Sequence, residues 1–261
     1  KSKKKPKKPK LKAIRQIKVS LYRSKKGKEK KEFLSKSDQY DQDMNVIGEF
    51  KESGEDNGII CVRISMLEER IVIKAFNDRM IYLGTLEEAP TMSYLIRSTG
   101  KSIDYPHLKL LLPNYEYVVE LRKVYGGFLK PEKYSFYLHF ELKKQEQEKT
   151  FNEFFSISQK RMAIGDDWYV RDAADGIIAK IDGRKTAIGA DWNIEFYPTR
   201  SNLHLNNQYV TVLLLFTAFR RYEKDVMKRL SKNYENYRKK NEPLFANWHE
   251  MTLYKNPRMK N

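Results

Sequence analysis

A mainly β chain, closed into a barrel-like antiparallel sheet around one long hydrophobic C-terminal helix, is the fold the sequence predicts. Three observations predict it. Short apolar or β-branched runs recur from Gly58 onward, separated by polar residues, Gly or Pro. Asp-Gly pairs, the signature of hairpin turns, stand between β-rich runs at 175–176 and 182–183. Residues 209–219 are apolar almost all round and then give way to a one-sided apolar stripe, as in a helix that other structure encloses. Many antiparallel strands plus one such helix are best satisfied by placing the helix inside the sheet.

Taken in order, residues 1–31 hold sixteen Lys or Arg against the single Glu29, a net charge of +15 out of +17 for the chain. Everything after Lys31 carries only +2, so the basic pI of 9.6 reports an appendage. A segment so uniformly charged cannot bury enough apolar surface to fold alone. Pro6 and Pro9 forbid a regular helix, and like charges keep the segment extended. Within it, Ile17, Val19 and Leu21 alternate with polar residues as in a short strand. The expected organisation is a basic extended arm over 1–31, a linker over 32–57 ending in the turn-rich Ser53-Gly54-Glu55-Asp56-Asn57-Gly58, a β-domain over 58–240 and a C-terminal extension over 241–261.

Strands are expected at 59–66, 70–76, 80–86, 117–124 and 134–142. In the last, Tyr134, Phe136, Leu138, Phe140 and Leu142 share one face and His139 lies on the solvent side. Ala163-Ile164-Gly165-Asp166-Asp167-Trp168 recurs as Ala187-Ile188-Gly189-Ala190-Asp191-Trp192, which places Trp168 and Trp192 at comparable positions in successive hairpins. The helix is expected over 208–232, its apolar stripe continuing through Phe219, Tyr222, Val226 and Leu230. Arg220, Lys224, Lys228 and Lys232 form a secondary basic face opposite. The apolar stretch falls short of the ~20 residues a spanning helix needs, so no transmembrane span is expected.

The order of Trp168-Tyr169-Val170-Arg171-Asp172, the turn at 175–176, Ile177-Ile178-Ala179-Lys180-Ile181, a second Asp-Gly and the hydrophobic helix at 209–222 resembles the tubby C-terminal-like superfamily. The LURP-one-related and phospholipid scramblase branches are the nearest in character, and the resemblance covers about 151–230. It implies a closed antiparallel barrel wrapped around one central hydrophobic helix, with 58–150 supplying the earlier strands. It implies binding rather than catalysis, since some members dock on phosphoinositides or are attributed lipid roles. No lipid-binding motif of those members matches this chain position by position.

Signals for catalysis and metal binding are weak. His107, His139, His204 and His249 are scattered and none stands in H-E-x-x-H spacing. Asp166, Asp167, Asp172, Asp175, Asp182 and Asp191 are dense, but the offsets at 171–176 fail a calcium loop and turn formation accounts for them better. Ser156, Ser158 and Ser201 lack a nucleophile elbow, and Gly126-Gly127 is no phosphate loop. The lone Cys61 forms no intramolecular disulfide or cysteine zinc site. We expect no catalytic residue, no metal and no cofactor.

The charge names the partner's sign. Lys3, Lys4, Lys5, Lys7, Lys8, Lys10, Lys12, Arg15, Lys18, Arg23, Lys25, Lys26 and Lys28 are the expected polyanion-binding residues, spaced to meet successive phosphates without reading bases. Tyr22 is the arm's only aromatic, so base stacking is not its main mode. The expectation is a non-catalytic structural component of a ribonucleoprotein, an organellar or other ribosome, with the arm on RNA and the domain against neighbouring proteins of a large complex. A membrane-surface adaptor on phosphoinositides or other anionic lipids is the alternative. The N-terminus lacks the 7–15 apolar residues of a secretory signal, so a mitochondrial or cytoplasmic protein is expected. On this division, deleting 1–31 removes RNA affinity and spares the domain.

Overall fold

The computed structural model describes residues 12–22, 43–63, 69–98, 106–124, 131–144, 147–160, 166–186, 189–199, 202–240 and 250–251. Among them, twelve strands form one closed antiparallel barrel: β1 (Arg15–Tyr22), β2 (Met44–Glu52), β3 (Glu55–Arg63), β4 (Val72–Asn77), β5 (Tyr82–Glu88), β6 (His107–Leu111), β7 (Val119–Val124), β8 (Lys133–Lys144), β9 (Gln147–Gln159), β10 (Trp168–Arg171), β11 (Ile177–Thr186) and β12 (Gly189–Phe196). Each strand pairs with its sequence neighbours, and β1 pairs with β12 to close the ring. α1 (Pro90–Ser98) follows β5, and α2 (Asn207–Lys240) follows β12 through a 3₁₀ turn at Leu203–Leu205.

The helix occupies the barrel as expected. All eleven residues from Tyr209 to Phe219 are buried, which an α-helix achieves only with walls on every side. Tyr209 packs on Phe155 of β9 and Phe196 of β12; Phe216 packs on Tyr134 of β8 and Trp168 of β10. On β5, Gly84 lets the helix come close, since a Cβ there would sit 2.9 Å from Thr211 Cγ2. Asn206 Oδ1 caps the helix start by accepting the Tyr209 N–H at 2.8 Å. α2 runs to Lys240, about 51 Å in all. Its last buried residue is Leu230, so the final turns project beyond the barrel, braced where Tyr234 and Tyr237 meet Tyr94 of α1.

Three sequence expectations are corrected. The barrel begins at Arg15 rather than Gly58. Ile17, Val19 and Leu21 point into the core with at most 2% exposure, so residues 15–22 belong to the domain and not to a free arm. Most of the described part of the expected linker is strand as well: Ser53-Gly54 is the tight turn joining β2 to β3, with Ser53 at φ 55°, and Asn57-Gly58 lies inside β3. Asp182-Gly183 is not a turn. β11 runs straight through it, and Gly183 stands opposite Trp192, whose ring occupies the space a side chain would need: a Cβ would meet Trp192 Cζ3 at 2.4 Å. By contrast Asp175-Gly176 does turn the chain from β10 to β11, with Asp175 left-handed at φ 63° and Gly176 N–H donating to Asp172 Oδ1 at 2.7 Å.

A smaller apolar cluster, Met44, Val46, Ile59, Cys61, Phe76 and Tyr82, lies apart from the main core on β2–β5. Burial there pushes the Cys61 thiol up to about 12, which leaves it inert at neutral pH. Glu250 of the C-terminal extension, only 4% exposed, accepts the Thr91 N–H at 2.9 Å in the first turn of α1.

Candidate nucleic-acid interface

Strand β1 is the keystone of the charge distribution. Its alternation sends Ile17, Val19 and Leu21 inward and leaves Gln16, Lys18 and Ser20 on the outer wall. Eight residue pairs hold it to β12, from Arg15↔Phe196 to Tyr22↔Gly189, and five more hold it to β2. The basic residues of 1–31 are therefore divided. Residues 1–11, with seven Lys, join one end of β1, and residues 23–31, with six Lys or Arg, join the other. Seven residue steps at about 3.4 Å put those two points about 24 Å apart.

The two ends of the barrel differ. The Arg15 end holds the start of α2: Arg15 donates to the His204 carbonyl, and Phe196, its β12 partner, packs on Tyr209. The Tyr22 end is where α2 leaves, as the contact from Arg221 Nη1 to the Ile47 carbonyl (3.4 Å) beside the β1–β2 pair Leu21↔Gly48 marks. The end of β1 from which residues 23–31 continue is thus the end at which α2 projects.

The expected binding residues separate into three groups. Lys3, Lys4, Lys5, Lys7, Lys8, Lys10, Arg23, Lys25, Lys26 and Lys28 lie outside the described residues. Lys12 and Lys18 are exposed, and neither makes an ion pair among the described residues. Arg15 is committed to the fold: its guanidinium grips Glu52 through two bonds of 2.8 and 2.7 Å and lies 5.8 Å over the Phe196 ring. It anchors β1 to β2, and its charge is already paired within the fold.

Arg220 is likewise corrected. It does not sit on an open basic face but in the mouth through which α2 leaves, with its side chain 8% exposed. Its guanidinium stacks 4.5 Å over Trp168, bonds Asp166 at 3.1 and 3.3 Å and Glu132 at 3.1 Å, and pairs with Glu223 one turn on. Lys123 completes the network at 3.0 Å from Glu132 and 2.7 Å from Glu223, and the Tyr134 hydroxyl donates to Glu223. Trp168 Nε1–H donates to Asp166 at 2.9 Å. The remaining three, Lys224, Lys228 and Lys232, are exposed on successive turns and form a basic stripe on the projecting helix.

The outer wall around β1 is mixed in sign. Two shallow clefts of about 480 and 470 Å³ flank Lys18, one between Lys51 and Glu52, the other between Arg184, Asp182 and Asp191. Lys51 is held by Asp56 at 2.8 Å, and Lys180 by Asp182 at 2.8 Å. A hydrogen bond from Asp167 keeps the Asp182 carboxyl low, while burial and that same contact push Asp167 up. The carboxylates that looked dense in sequence are thus spread over an ion-pair network, a turn and this pair. Among the described residues no three His, Cys, Asp or Glu are grouped to hold a metal ion, and no helix is long and apolar enough to cross a membrane.

Sequence reasoning passed over the outer wall of β8–β10. Tyr137, Phe154 and Tyr169 stand on the face opposite Phe136, Phe155 and Trp168, which fill the core. Tyr137 is 62% exposed, with its ring 5.0 Å from Phe154; Tyr117, 47% exposed, lies 4.5 Å from the His139 ring. The alternation that identified the buried face of β8 also puts Tyr137 and His139 on the other, but attention to the core leaves that face unread. No family model, curated protein or solved structure matches the chain.

Proposed function

We propose that this protein is a non-catalytic RNA-binding component of a ribonucleoprotein, holding phosphates at both ends of its barrel. The observation that carries the reading is the attachment of two strongly basic segments to opposite ends of the rigid strand β1. Residues 1–11 contribute +7 and residues 23–31 contribute +5. At the second end the exposed Lys224, Lys228 and Lys232 add to the same field. Two anchorages about 24 Å apart suit an extended polyanion, because engaging the first raises the effective concentration of the second. Membership of the tubby C-terminal-like superfamily is part of the same proposal, on the order of strands, turn and helix given above.

The test cannot be deletion of 1–31, which would remove β1 and open the barrel. Instead residues 1–11 are deleted, and in a separate variant the six basic residues of 23–31 are changed to Gln. RNA affinity is then measured against salt. On single strands each lysine that engages a phosphate contributes about 0.7 to the slope of log K against log salt, so losing seven lowers it by at most about 5. Unchanged slopes and affinities in both variants overturn the proposal. Recruitment to phosphoinositide vesicles that survives RNase treatment, with no RNA affinity, assigns the charge to a lipid surface instead.

A further inference from the structure

We infer that the outer wall of β8–β10 is a stacking platform for the bases of the single strand whose phosphates the basic segments hold; this rests on the RNA-binding reading. The wall has the chemistry for it. By register its outward positions on β8 and β9 run through Lys133, Ser135, Tyr137, His139, Asn152, Phe154, Ser156 and Ser158, and no carboxylate stands among these before the register reaches Glu141 and Glu148. On β10 the outward residues are Tyr169 and Arg171, the guanidinium 5.9 Å from the Tyr169 ring. Exposed aromatic faces beside cations fit unpaired bases, because every base offers a π-face and stacking tolerates sequence. Cross-strand packing explains part of the Tyr137–Phe154 contact. It does not explain a Tyr137 ring left 62% exposed on a strand.

The register connects this wall to the charge. Around the barrel Arg15 faces Phe196, Phe196 faces Ala179, Ala179 faces Val170 and Val170 faces Ile157. Phe154 stands three residues past Ile157 on β9, beyond the Arg15 level, so the platform lies at the end of the barrel where residues 1–11 join. Four strand spacings separate β1 from β9, about 19 Å around the wall. Eleven residues can span at most about 40 Å, so a strand held by 1–11 can run onto the platform. The division of labour is then physical: lysines hold phosphates near the mouth while tyrosine and phenylalanine hold bases on the wall.

The experiment compares, for the full chain, a single-stranded RNA oligomer with an abasic oligomer of the same phosphate count at raised salt. The RNA is expected to bind at least about 5-fold tighter per stacked aromatic. In the Tyr137→Ala/Phe154→Ala variant that ratio falls to near one while affinity for the abasic strand stays unchanged. Tyr137→Leu, which keeps apolar cover on the sheet but removes the π-face, lowers the ratio in the same direction and guards against a folding defect. Equal, tight binding of both oligomers by the parent chain overturns the platform and leaves the phosphate reading standing. So does a ratio that survives in the variants, as it would if the wall served a protein partner. Binding of neither oligomer overturns both.

Discussion

Replacing Arg220 with alanine tests whether the mouth of the barrel is closed by charge. The substitution removes the guanidinium from Trp168, from Asp166 and from Glu223, and so takes the positive member out of a buried pair in which the Asp166 side chain is 4% exposed. Lys123 still serves Glu132 and Glu223. Removing one partner of a buried pair costs about 3–5 kcal/mol. For a chain of this size each kcal/mol moves the midpoint by about 2–4 °C, so the Tm is expected to fall by about 6–20 °C. Arg220→Met keeps bulk over the Trp168 ring and separates packing from charge. Combining Arg220→Ala with Asp166→Asn in a double-mutant cycle should return a coupling toward the upper end of the ~0.5–3 kcal/mol found for contacting groups. Urea unfolding of the four proteins supplies the numbers. A cost below about 1 kcal/mol for Arg220→Ala, or additive single mutants, would falsify the claim that this arginine is a buried hub.

Other consequences are accessible to the same assays. Burial holds the Glu88 carboxyl at about 7 although Arg229 beside it pulls the other way. The folded chain thus keeps a proton that the unfolded chain releases near 4.5, and the stability this proton supplies is full below 4.5 and lost as pH rises through 7. Glu88→Gln should flatten that decline, which amounts to at most about 3 kcal/mol; parallel pH profiles would count against it. Gly183→Ala drives a methyl group into Trp192 and against the Asp166 carbonyl, and should cost about 1–3 kcal/mol or more with a changed near-ultraviolet signal from tryptophan. Changing Lys224, Lys228 and Lys232 together to Gln should leave stability within about 0.5 kcal/mol per site while lowering the salt slope of RNA binding; a large stability loss would place them in the fold instead.

The helix and the walls that need it were legible because their signals are local. Eleven residues in a row, apolar but for Thr211 and Thr217 and with no charged face, admit one kind of environment, and β8 declares its inner face by strict alternation. What escaped is non-local. β1 carries a correct strand pattern at Ile17, Val19 and Leu21, yet its partner β12 lies at the far end of the chain, and the surrounding lysines dominate any composition window. β6 is short and places Lys109 among its leucines, and it is not among the expected strands; burial lowers that ammonium to about 8 although Glu120 beside it pulls the other way. Asp182-Gly183 follows hairpin chemistry but serves a ring packed across the strands, and Arg220 sits in a basic run whose acidic partners are more than fifty residues away in sequence, apart from Glu223. Residue type gave the sign of each charge; only the register decided which were already spent.

The pairing of β1 with β12 also sets an order of events. During synthesis β1 emerges first and soon meets β2, but its second edge has no partner until Gly189–Phe196 has been made, and α2, which the finished wall must enclose, comes later still. Closure between such distant segments is slow, and an unpaired edge is a template for another chain in the meantime. Lysine at the ends of an edge strand opposes that association. The same cations that meet phosphate in the finished molecule therefore guard its unfinished edge, so neutralising 23–31 should lower the yield of refolded monomer even where the barrel, once formed, is no less stable.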